Sequence, residues 1–234
     1  MGHKKLVKFA AIDTYPHVLQ YPEDIKGKWH EQVFKNNNPI TLELACGKGE
    51  YSVGLGREHK DRNFIGIDIK GNRIYTGAKT ALQEGLTNVA FLRAQIGQLT
   101  KYFAPLEAAE IWIVFSDPFL KKGREKNRLT HPRFLHLYQQ ILPPGAIINL
   151  KTDSEVLYNF TLETIADQKC TIHENIADIY GKGKATGPLA IQTFYEKMHL
   201  AEGRTIYYIA FSLPDTPIVL PERFANHEAT VDRD

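Results

Sequence analysis

The chain has 234 residues, of which 43% are apolar and 24% charged, and its formal net charge at pH 7 is +2. This composition is ordinary for a folded soluble protein, and the length suits one α/β domain with a small elaboration. Cys46 and Cys170 lie far apart in unlike contexts, which argues against a disulfide framework or a metal knuckle. With no apolar run long enough to span a bilayer and no signal segment, the sequence predicts a cytoplasmic protein.

The N-terminal residues 1–38 show little periodicity and predict a basic, aromatic extension in the form of an extended arm. Lysines cluster near its start, and it contains the aromatic-proline pairs Tyr15-Pro16 and Tyr21-Pro22. The near-neutral charge of the whole chain means that any affinity for nucleic acid has to come from such local clusters of basic residues.

From residue 40 onward, strand and helix patterns alternate. The predicted strands are residues 40–45, 63–68, 89–93, 111–115 and 146–151. The predicted helices are residues 50–59, 73–84, 99–103, 132–142 and 154–167, the last with Thr152 or Asp153 near its N-cap. This alternation is typical of βαβ units and predicts a doubly wound, mostly parallel sheet with helices on both faces.

After Cys170 the alternation stops. Residues 170–175 and 204–211 are predicted as two more strands, separated by a long insertion that contains Gly181-Lys182-Gly183-Lys184. A late antiparallel pair predicts a hairpin at one edge of a seven-stranded sheet. The predicted α/β domain, of the Rossmann-like type, therefore covers residues 39–213, and residues 214–234 are expected to form a loosely attached C-terminal tail.

The carboxyl ends of the predicted strands carry residues suited to a nucleoside, because open α/β sheets bind ligands at that edge. Gly47 and Gly49 follow the first strand and would let a ligand approach the backbone closely. Asp68 ends the second strand, where an acid accepts hydrogen bonds from ribose hydroxyls. Gln95 follows the third strand and could read an adenine edge.

The glycine turn does not match a dinucleotide or triphosphate site. Ser52 stands where the third glycine of a dinucleotide pattern belongs, and Lys48 is not in a P-loop frame. Glu43, just before the turn, would repel a pyrophosphate and would suit a ligand that carries an ammonium group. This polarity favours S-adenosylmethionine and leaves a nicotinamide-dependent oxidoreductase poorly supported.

The fourth strand ends in an acid, an aromatic and a basic run. Asp117 can hold a polar ligand edge, Phe119 can stack on a base, and the lysines and arginines that follow can neutralise phosphate. The alternative interpretation is an Asp-Pro turn followed by a solvated charged loop. Because this segment occurs together with the residues suited to a nucleoside at the ends of the other strands, we favour a site that binds nucleic acid.

With these residues in hand, the sequence resembles the class I S-adenosylmethionine-dependent methyltransferases, and more narrowly the bacterial tRNA (guanine-N7-)-methyltransferase family, over about residues 27–211. The most specific segment is Ile111 to Arg128, in which residues 116–122 are similar to the family's Pro-Asp-Pro-Trp-x-Lys-Lys. Three further motifs follow in family order: Leu142-Pro143-Pro144-Gly145, Thr152-Asp153 and Thr193-Phe194-Tyr195-Glu196. The sequence departs from the family pattern at several positions. Ser116 replaces a proline, Phe119 a tryptophan and Ala45 a glycine, and Gln95 stands where Asp or Asn is common. Gly123 and Asn127 interrupt the usual basic run.

The resemblance implies transfer of a methyl group from S-adenosylmethionine to N7 of a guanosine in the variable loop of tRNA, without a general base. It implies a catalytic, positioning role for Asp117, and cofactor contacts by Glu43, Gly47, Gly49, Asp68, Gln95 and Asp117. It also implies substrate contacts by Lys121, Asp153, Thr193, Tyr195 and Glu196, and we expect RNA phosphate contacts by Lys122, Arg124, Lys126 and Arg128.

Two alternatives stay open at this point. Ser-Asp-Pro-Phe is similar to the active-site loop of methyltransferases that act on an exocyclic amine such as adenine N6, and a catalytically silent RNA-binding module would keep the basic loop. The nine histidines show no metal-ligand spacing, so no metal site is predicted. Both a monomer and a homodimer are compatible with the sequence.

Overall fold

The computed structural model describes residues 3–220, with side chains from residue 7 onward. Its centre is an eight-stranded sheet in the order β1-β4-β3-β2-β5-β6-β8-β7. The strands are β1 Val18–Gln20, β2 Ile40–Leu44, β3 Asn63–Asp68, β4 Val89–Arg93, β5 Glu110–Val114, β6 Ile147–Thr152, β7 Thr171–Ile176 and β8 Tyr207–Ser212. Strands β1 to β6 are parallel, and β8 runs antiparallel between β6 and β7.

Helices cover both faces of this sheet. They are α1 His3–Ile12, α2 Glu50–Glu58, α3 Gly71–Gln83, α4 Leu99–Tyr102, α5 Pro132–Ile141, α6 Glu155–Asp167 and α7 Phe194–Ala201, with a π-helix at Trp29–Phe34 and 3₁₀ turns at Ile96–Gln98, Glu125–Asn127 and Gly187–Ala190. Alternate residues of β5 enter different cores: Ile111 and Ile113 pack with α5, whereas Trp112 and Val114 pack with α2 and α3. The predicted doubly wound α/β fold is confirmed.

The direction of winding reverses between β2 and β5. The chain first adds β3 and β4 on one side of β2, and then returns to place β5 on the other side, with Leu44 opposite Ile113. Loops that leave the carboxyl ends of these two neighbouring strands diverge and leave a crevice, which is where open α/β sheets bind ligands. The fold therefore places the glycine turn and the Asp117 loop on either side of one crevice.

The N-terminal segment belongs to this fold, and the expectation of an extended arm is wrong for residues 3–34. Helix α1 packs on α3, and β1 pairs with β4 as the eighth strand, one more than predicted. The Trp29 side chain is fully buried and stacks on Phe103 with ring centroids 5.3 Å apart. Contacts such as that of Trp29 with Phe103 join residues far apart in the chain, so they leave no periodic pattern in the sequence.

The start of the predicted C-terminal tail is also attached to the domain. Gln139 of α5 donates to the carbonyls of Pro214 and Thr216, each at 2.9 Å, and Ile218 is buried. The prediction of a loose tail is therefore wrong for residues 214–220, and its remainder, residues 221–234, lies outside the described residues. At α6 the N-cap is Ser154, whose Oγ accepts from the Leu157 N–H, rather than the predicted Thr152 or Asp153.

None of the helices within residues 3–220 combines the length and the apolar character needed to cross a membrane.

Replacing Trp29 by alanine tests whether the N-terminal segment is part of the cooperative domain. Trp29→Ala should lower the free energy of unfolding by about 3–5 kcal/mol, as for other buried aromatic residues. It removes the ring stack and the hydrogen bond from Nε1 to the Tyr102 carbonyl at 2.8 Å. Urea denaturation followed by circular dichroism measures the change, with Val7→Ala, whose side chain is exposed on α1, as the control. An unchanged midpoint for Trp29→Ala would contradict the assignment.

Candidate functional site

A cleft of about 320 Å³ opens at the carboxyl ends of β2 to β5, where the winding reverses. The loops after all four strands line it, with Ala45, Asp68, Gln95 and Asp117 each following or ending one of them. The remaining walls are largely apolar and include Ile69, Ile96 and Leu129. The structure thus brings three of the predicted cofactor residues, Asp68, Gln95 and Asp117, to one apolar cleft, which is typical of small-molecule sites.

The glycine turn after β2 orients Asp68. The Gly47 N–H donates to Asp68 Oδ2 at 3.0 Å, and the Lys70 N–H donates to Oδ1 at 2.7 Å. Gly49 has a φ of +67°, and a Cβ there would collide with the Phe91 ring, so only glycine fits this position. These contacts fix the Asp68 carboxylate at the cleft wall, as the spacing of the glycines and the acid predicts.

Glu43, the first of the predicted cofactor residues, does not line this cleft. Its carboxylate is buried behind the turn, where Oε2 accepts from the Ser52 N–H at 2.7 Å and from Ser52 Oγ at 2.5 Å, and it does not line the cleft. The cause is strand alternation, because Leu42 and Leu44 face the α5 side and so direct Glu43 toward α2. Burial raises the pKa of Glu43 to about 7, against the opposing effect of the hydrogen bonds from Ser52. In this structure Glu43 therefore contacts α2, and it does not line this cleft.

The Asp117 loop is held in a constrained conformation at the cleft rim. Asp117 itself is exposed, and its Oδ1 accepts from the Phe119 N–H at 2.9 Å. Phe115 and Phe119, on either side, have φ values of +48° and +44°, which are unfavourable for residues with a Cβ. Backbone strain of this kind concentrates at functional sites. The Ser116 Oγ is buried at the cleft and has no hydrogen-bond partner among the described residues.

Arg128 fixes the same loop from beneath. Its Nε donates to the Pro118 carbonyl at 2.9 Å, and its guanidinium lies 4.5 Å from the centre of the Phe160 ring. The side chain is buried, so this position does not agree with the predicted phosphate contact. The other members of the basic run, Lys121, Lys122, Arg124 and Lys126, are exposed beside the cleft, as a phosphate-binding role requires.

The Thr193 to Glu196 motif forms the first turn of α7. Thr193 is the N-cap, since its Oγ1 accepts from the Glu196 N–H at 3.1 Å, and the Glu196 carboxylate accepts in return from the Thr193 N–H. The Glu196 carboxylate is fully buried and forms an ion pair with Lys151 Nζ at 2.7 Å. Of the three predicted substrate residues in this motif, only Tyr195 is exposed. Thr193 and Glu196 therefore build α7, and a direct substrate contact does not agree with their burial.

Lys151 was missed by the sequence analysis. It is the penultimate residue of β6 and has no exposed surface, and its Nζ also donates to the carbonyls of Leu189 and Ile191 at 2.9 and 3.1 Å. Burial lowers the pKa of Lys151, and the nearby Glu196 carboxylate opposes that shift. A lysine at the end of an apolar strand is the signal that could have identified it, because a buried ammonium needs a partner.

Asp153 follows β6, and its carboxylate is likewise paired with another side chain of this protein. Its Oδ2 lies 2.8 Å from Arg204 Nη1, and the side chain is mostly buried. A substrate that binds Asp153 would have to share the carboxylate with Arg204. Within residues 3–220 there is no cluster of three His, Cys, Asp or Glu side chains arranged to hold a metal ion.

The buried Glu43 predicts a specific pH dependence of stability. In the unfolded chain Glu43 ionises near 4.5, whereas the folded pKa is about 7, so folding takes up a proton between these values. The contribution of Glu43 therefore becomes less favourable as the pH rises through this range, on the order of 3 kcal/mol by pH 8. Glu43→Gln keeps an acceptor for Ser52 and should gain stability relative to wild type at pH 8 but not at pH 4.5.

Urea denaturation at both pH values measures this difference, and the exposed Glu58→Gln serves as the matched control. Equal differences between wild type and Glu43→Gln at the two pH values would show that Glu43 does not titrate as proposed.

Comparison with known proteins identifies the family. The family model described as "Putative methyltransferase" matches residues 37–209. A tRNA (guanine-N(7)-)-methyltransferase of Bacteroides thetaiotaomicron is 44% identical, covering 94% of this chain and 89% of its own length. The Porphyromonas gingivalis protein of the same name is 48% identical over 86% of each chain.

A solved structure supports the fold independently of close sequence similarity. The 16S rRNA methyltransferase KamB superposes with a TM-score of 0.63 at 12% identity, covering 85% of this chain and 99% of KamB. The resemblance stated from the motifs is thus confirmed, and the chain belongs to the tRNA (guanine-N(7)-)-methyltransferase family of class I, S-adenosylmethionine-dependent methyltransferases.

Proposed function

We propose that the protein transfers the methyl group of S-adenosylmethionine to N7 of a guanosine in the variable loop of tRNA. The observation that carries the residue assignments is the cleft at the point where the winding reverses, in which Asp68, Gln95 and Asp117 converge. Family membership supports the reaction and the substrate class, and the exposed basic residues beside the cleft are compatible with an RNA substrate.

The lining of the cleft supports binding of the nucleoside part of the cofactor there. Its apolar walls suit a purine, Asp68 would accept from the ribose hydroxyls, and Gln95 would meet the adenine edge. Gly47 and Gly49 would let the backbone approach the methionine part, and the unpartnered Ser116 Oγ leaves one buried polar atom for a ligand. When bound, S-adenosylmethionine supplies a methyl group on a positively charged sulfur. Glu43 supports this site indirectly, through its hydrogen bonds to Ser52.

The chemistry requires positioning rather than proton removal. Guanine N7 carries an in-plane lone pair and no proton, so no general base is needed. The protein has to hold N7 in line with the methyl group, and such placement can account for much of the reduction in barrier. Asp117, oriented by the Phe119 N–H, would accept from the guanine N1–H and amino group. Its negative charge would also favour positive charge on the purine during transfer.

The target guanosine has to leave its stack to enter the cleft, which suits a loop of a structured RNA. Lys121 would contact the substrate, and Lys122, Arg124 and Lys126 would contact phosphates and set the register of the RNA without reading its sequence. Asp153 would help to anchor the base or ribose while it holds Arg204. Such an enzyme would work in the cytoplasm, where tRNA is found.

Analysis of the modified nucleoside tests the reaction. The purified protein, incubated with labelled S-adenosylmethionine and unmodified tRNA, should yield 7-methylguanosine after digestion of the RNA. Asp117→Asn should lower kcat on the order of tenfold to a hundredfold, because a charge that stabilises the transition state is lost. The exposed Asp61→Asn is the control. A different methylated nucleoside would contradict the reaction, and full turnover by Asp117→Asn would contradict the role of Asp117.

Salt dependence separates the exposed and the buried members of the basic run. Lys122→Ala and Arg124→Ala should each weaken tRNA binding and reduce the slope of log Kd against log salt by about one. Arg128→Ala should instead lower the free energy of unfolding by about 1–3 kcal/mol, because it leaves loop carbonyls unpartnered. Lys101→Ala, exposed on α4, is the control for both measurements. A salt slope that changed for Arg128→Ala at unchanged stability would show that our placement of Arg128 is wrong.

A further inference from the structure

Helix α7 presents a cluster of large apolar side chains to solvent. Phe194, Tyr195 and Met198 are 47%, 43% and 42% exposed, and their spacing places them together on the first turns of the helix. The same helix is fixed to the domain by the buried Glu196. Exposed apolar side chains that form a cluster, rather than occurring singly, mark a binding surface.

Ring contacts connect this cluster to the Asp117 loop. Phe194 and Tyr195 meet edge to face with centroids 5.7 Å apart, and Tyr195 lies 6.5 Å from the His199 ring. The His199 ring lies 5.7 Å from Phe115, which immediately precedes Ser116 and Asp117. We call Phe194, Tyr195, His199 and Phe115 the aromatic row. It runs from an exposed helix face to the rim of the cleft.

The outer ring of the row is held in place although it is exposed. Lys48 Nζ lies 3.7 Å from the centre of the Phe194 ring, and the Phe194 N–H donates to Glu50 Oε2 at 3.0 Å. Both partners belong to the glycine turn and the start of α2. A ring that is fixed by one cation while nearly half of it stays exposed loses little conformational entropy when a second flat group stacks on it.

The charges around the row favour an RNA strand as its partner. Lys48 contacts the Phe194 ring, Lys197 is exposed three residues further along α7, and Lys121 and Lys122 are exposed after Asp117. Glu50, an acid in contact with Phe194, accepts from that residue's own backbone. Aromatic rings next to solvent-exposed cations are the combination by which proteins hold unpaired nucleotides, with bases on the rings and phosphates on the cations.

We propose that the exposed end of the aromatic row, Phe194 and Tyr195, stacks on the unpaired nucleotides next to the target guanosine. This inference rests on the proposed function, and extends it from the methylated base to its neighbours. Every base has a flat face that can stack, so the row recognises that the flanking nucleotides are unpaired rather than which bases they are. It thereby selects a flexible loop over a duplex.

Substitution of Phe194 tests the proposal by tRNA affinity. Phe194→Ala should raise the Kd for tRNA about tenfold, within the usual range for loss of one stacked base. The Kd for S-adenosylmethionine and the Tm should stay at wild-type values. Phe194→Trp should retain affinity, whereas Phe194→Leu, which is apolar but cannot stack, should behave like Phe194→Ala. Leu82→Ala on α3 is the matched control, because Leu82 is also 47% exposed.

Wild-type tRNA affinity in Phe194→Ala would overturn the proposal. So would full affinity in Phe194→Leu, since a merely apolar contact would then be sufficient. If Phe194→Ala lost affinity for S-adenosylmethionine to the same extent as for tRNA, the residue would act by positioning the glycine turn through Lys48 and Glu50, and stacking would be wrong.

A fluorescent base tests stacking directly and separates this proposal from the proposed function. 2-Aminopurine, placed next to the target guanosine of an otherwise unmodified RNA, should be quenched when wild-type protein binds and much less when Phe194→Ala binds at saturation. Equal quenching by wild type and Phe194→Ala would overturn the proposal that the aromatic row stacks on the RNA bases. A protein that forms no 7-methylguanosine yet shows Phe194-dependent quenching would overturn the proposed function and leave the row as an RNA-binding surface.

Discussion

The position of α7 depends on the buried ion pair between Lys151 and Glu196. Removing two charges from water is costly, and their attraction offsets that cost only where further hydrogen bonds satisfy both groups. Here the ammonium donates to two carbonyls in addition to the carboxylate, and Glu196 also accepts from the Tyr180 hydroxyl at 2.8 Å. All these partners except Lys151 lie in the long connection between β7 and β8. The pair therefore fixes that connection, and α7 with it, to the carboxyl edge of the sheet.

Once α7 is fixed, its first turn is in direct contact with the glycine turn and the start of α2. The Phe194 N–H donates to Glu50 and the Phe194 ring contacts Lys48, so the first turn of α7 rests on the glycine turn. The same turn orients Asp68 at the cleft wall, and α2, which follows it, is joined to β2 through Ser52 and Glu43. A displacement of α7 would thus reach Asp68 in the cleft wall through the glycine turn.

Much of the sheet and of the cleft could be predicted from the sequence, because short apolar runs that end at glycine or acid are local signals. The strands Asn63–Asp68 and Val89–Arg93 match their predicted ranges, and Gly47, Asp68, Gln95 and Asp117 lie where their positions after strands predict. The N-terminal helix and strand were missed because their contacts with α3 and β4 are long-range. No local pattern distinguishes a tryptophan that is buried by a distant ring from one in a surface arm.

The family motifs identify the functional region, but they do not show which of its residues are buried. Burial separates the residues into two kinds of role. Arg128, Thr193 and Glu196 are enclosed by protein partners, whereas Asp117, Lys122 and Tyr195 are exposed. Because their side chains are enclosed by other groups of the protein, we expect the buried members to influence the reaction by holding the Asp117 loop or α7. Loss of either kind would reduce activity. Only the loss of a buried member would also reduce stability, because an unpaired buried charge or carbonyl destabilises the fold itself. Measuring both enzymatic activity and the free energy of unfolding of each variant therefore distinguishes contact residues from positioning residues in these motifs.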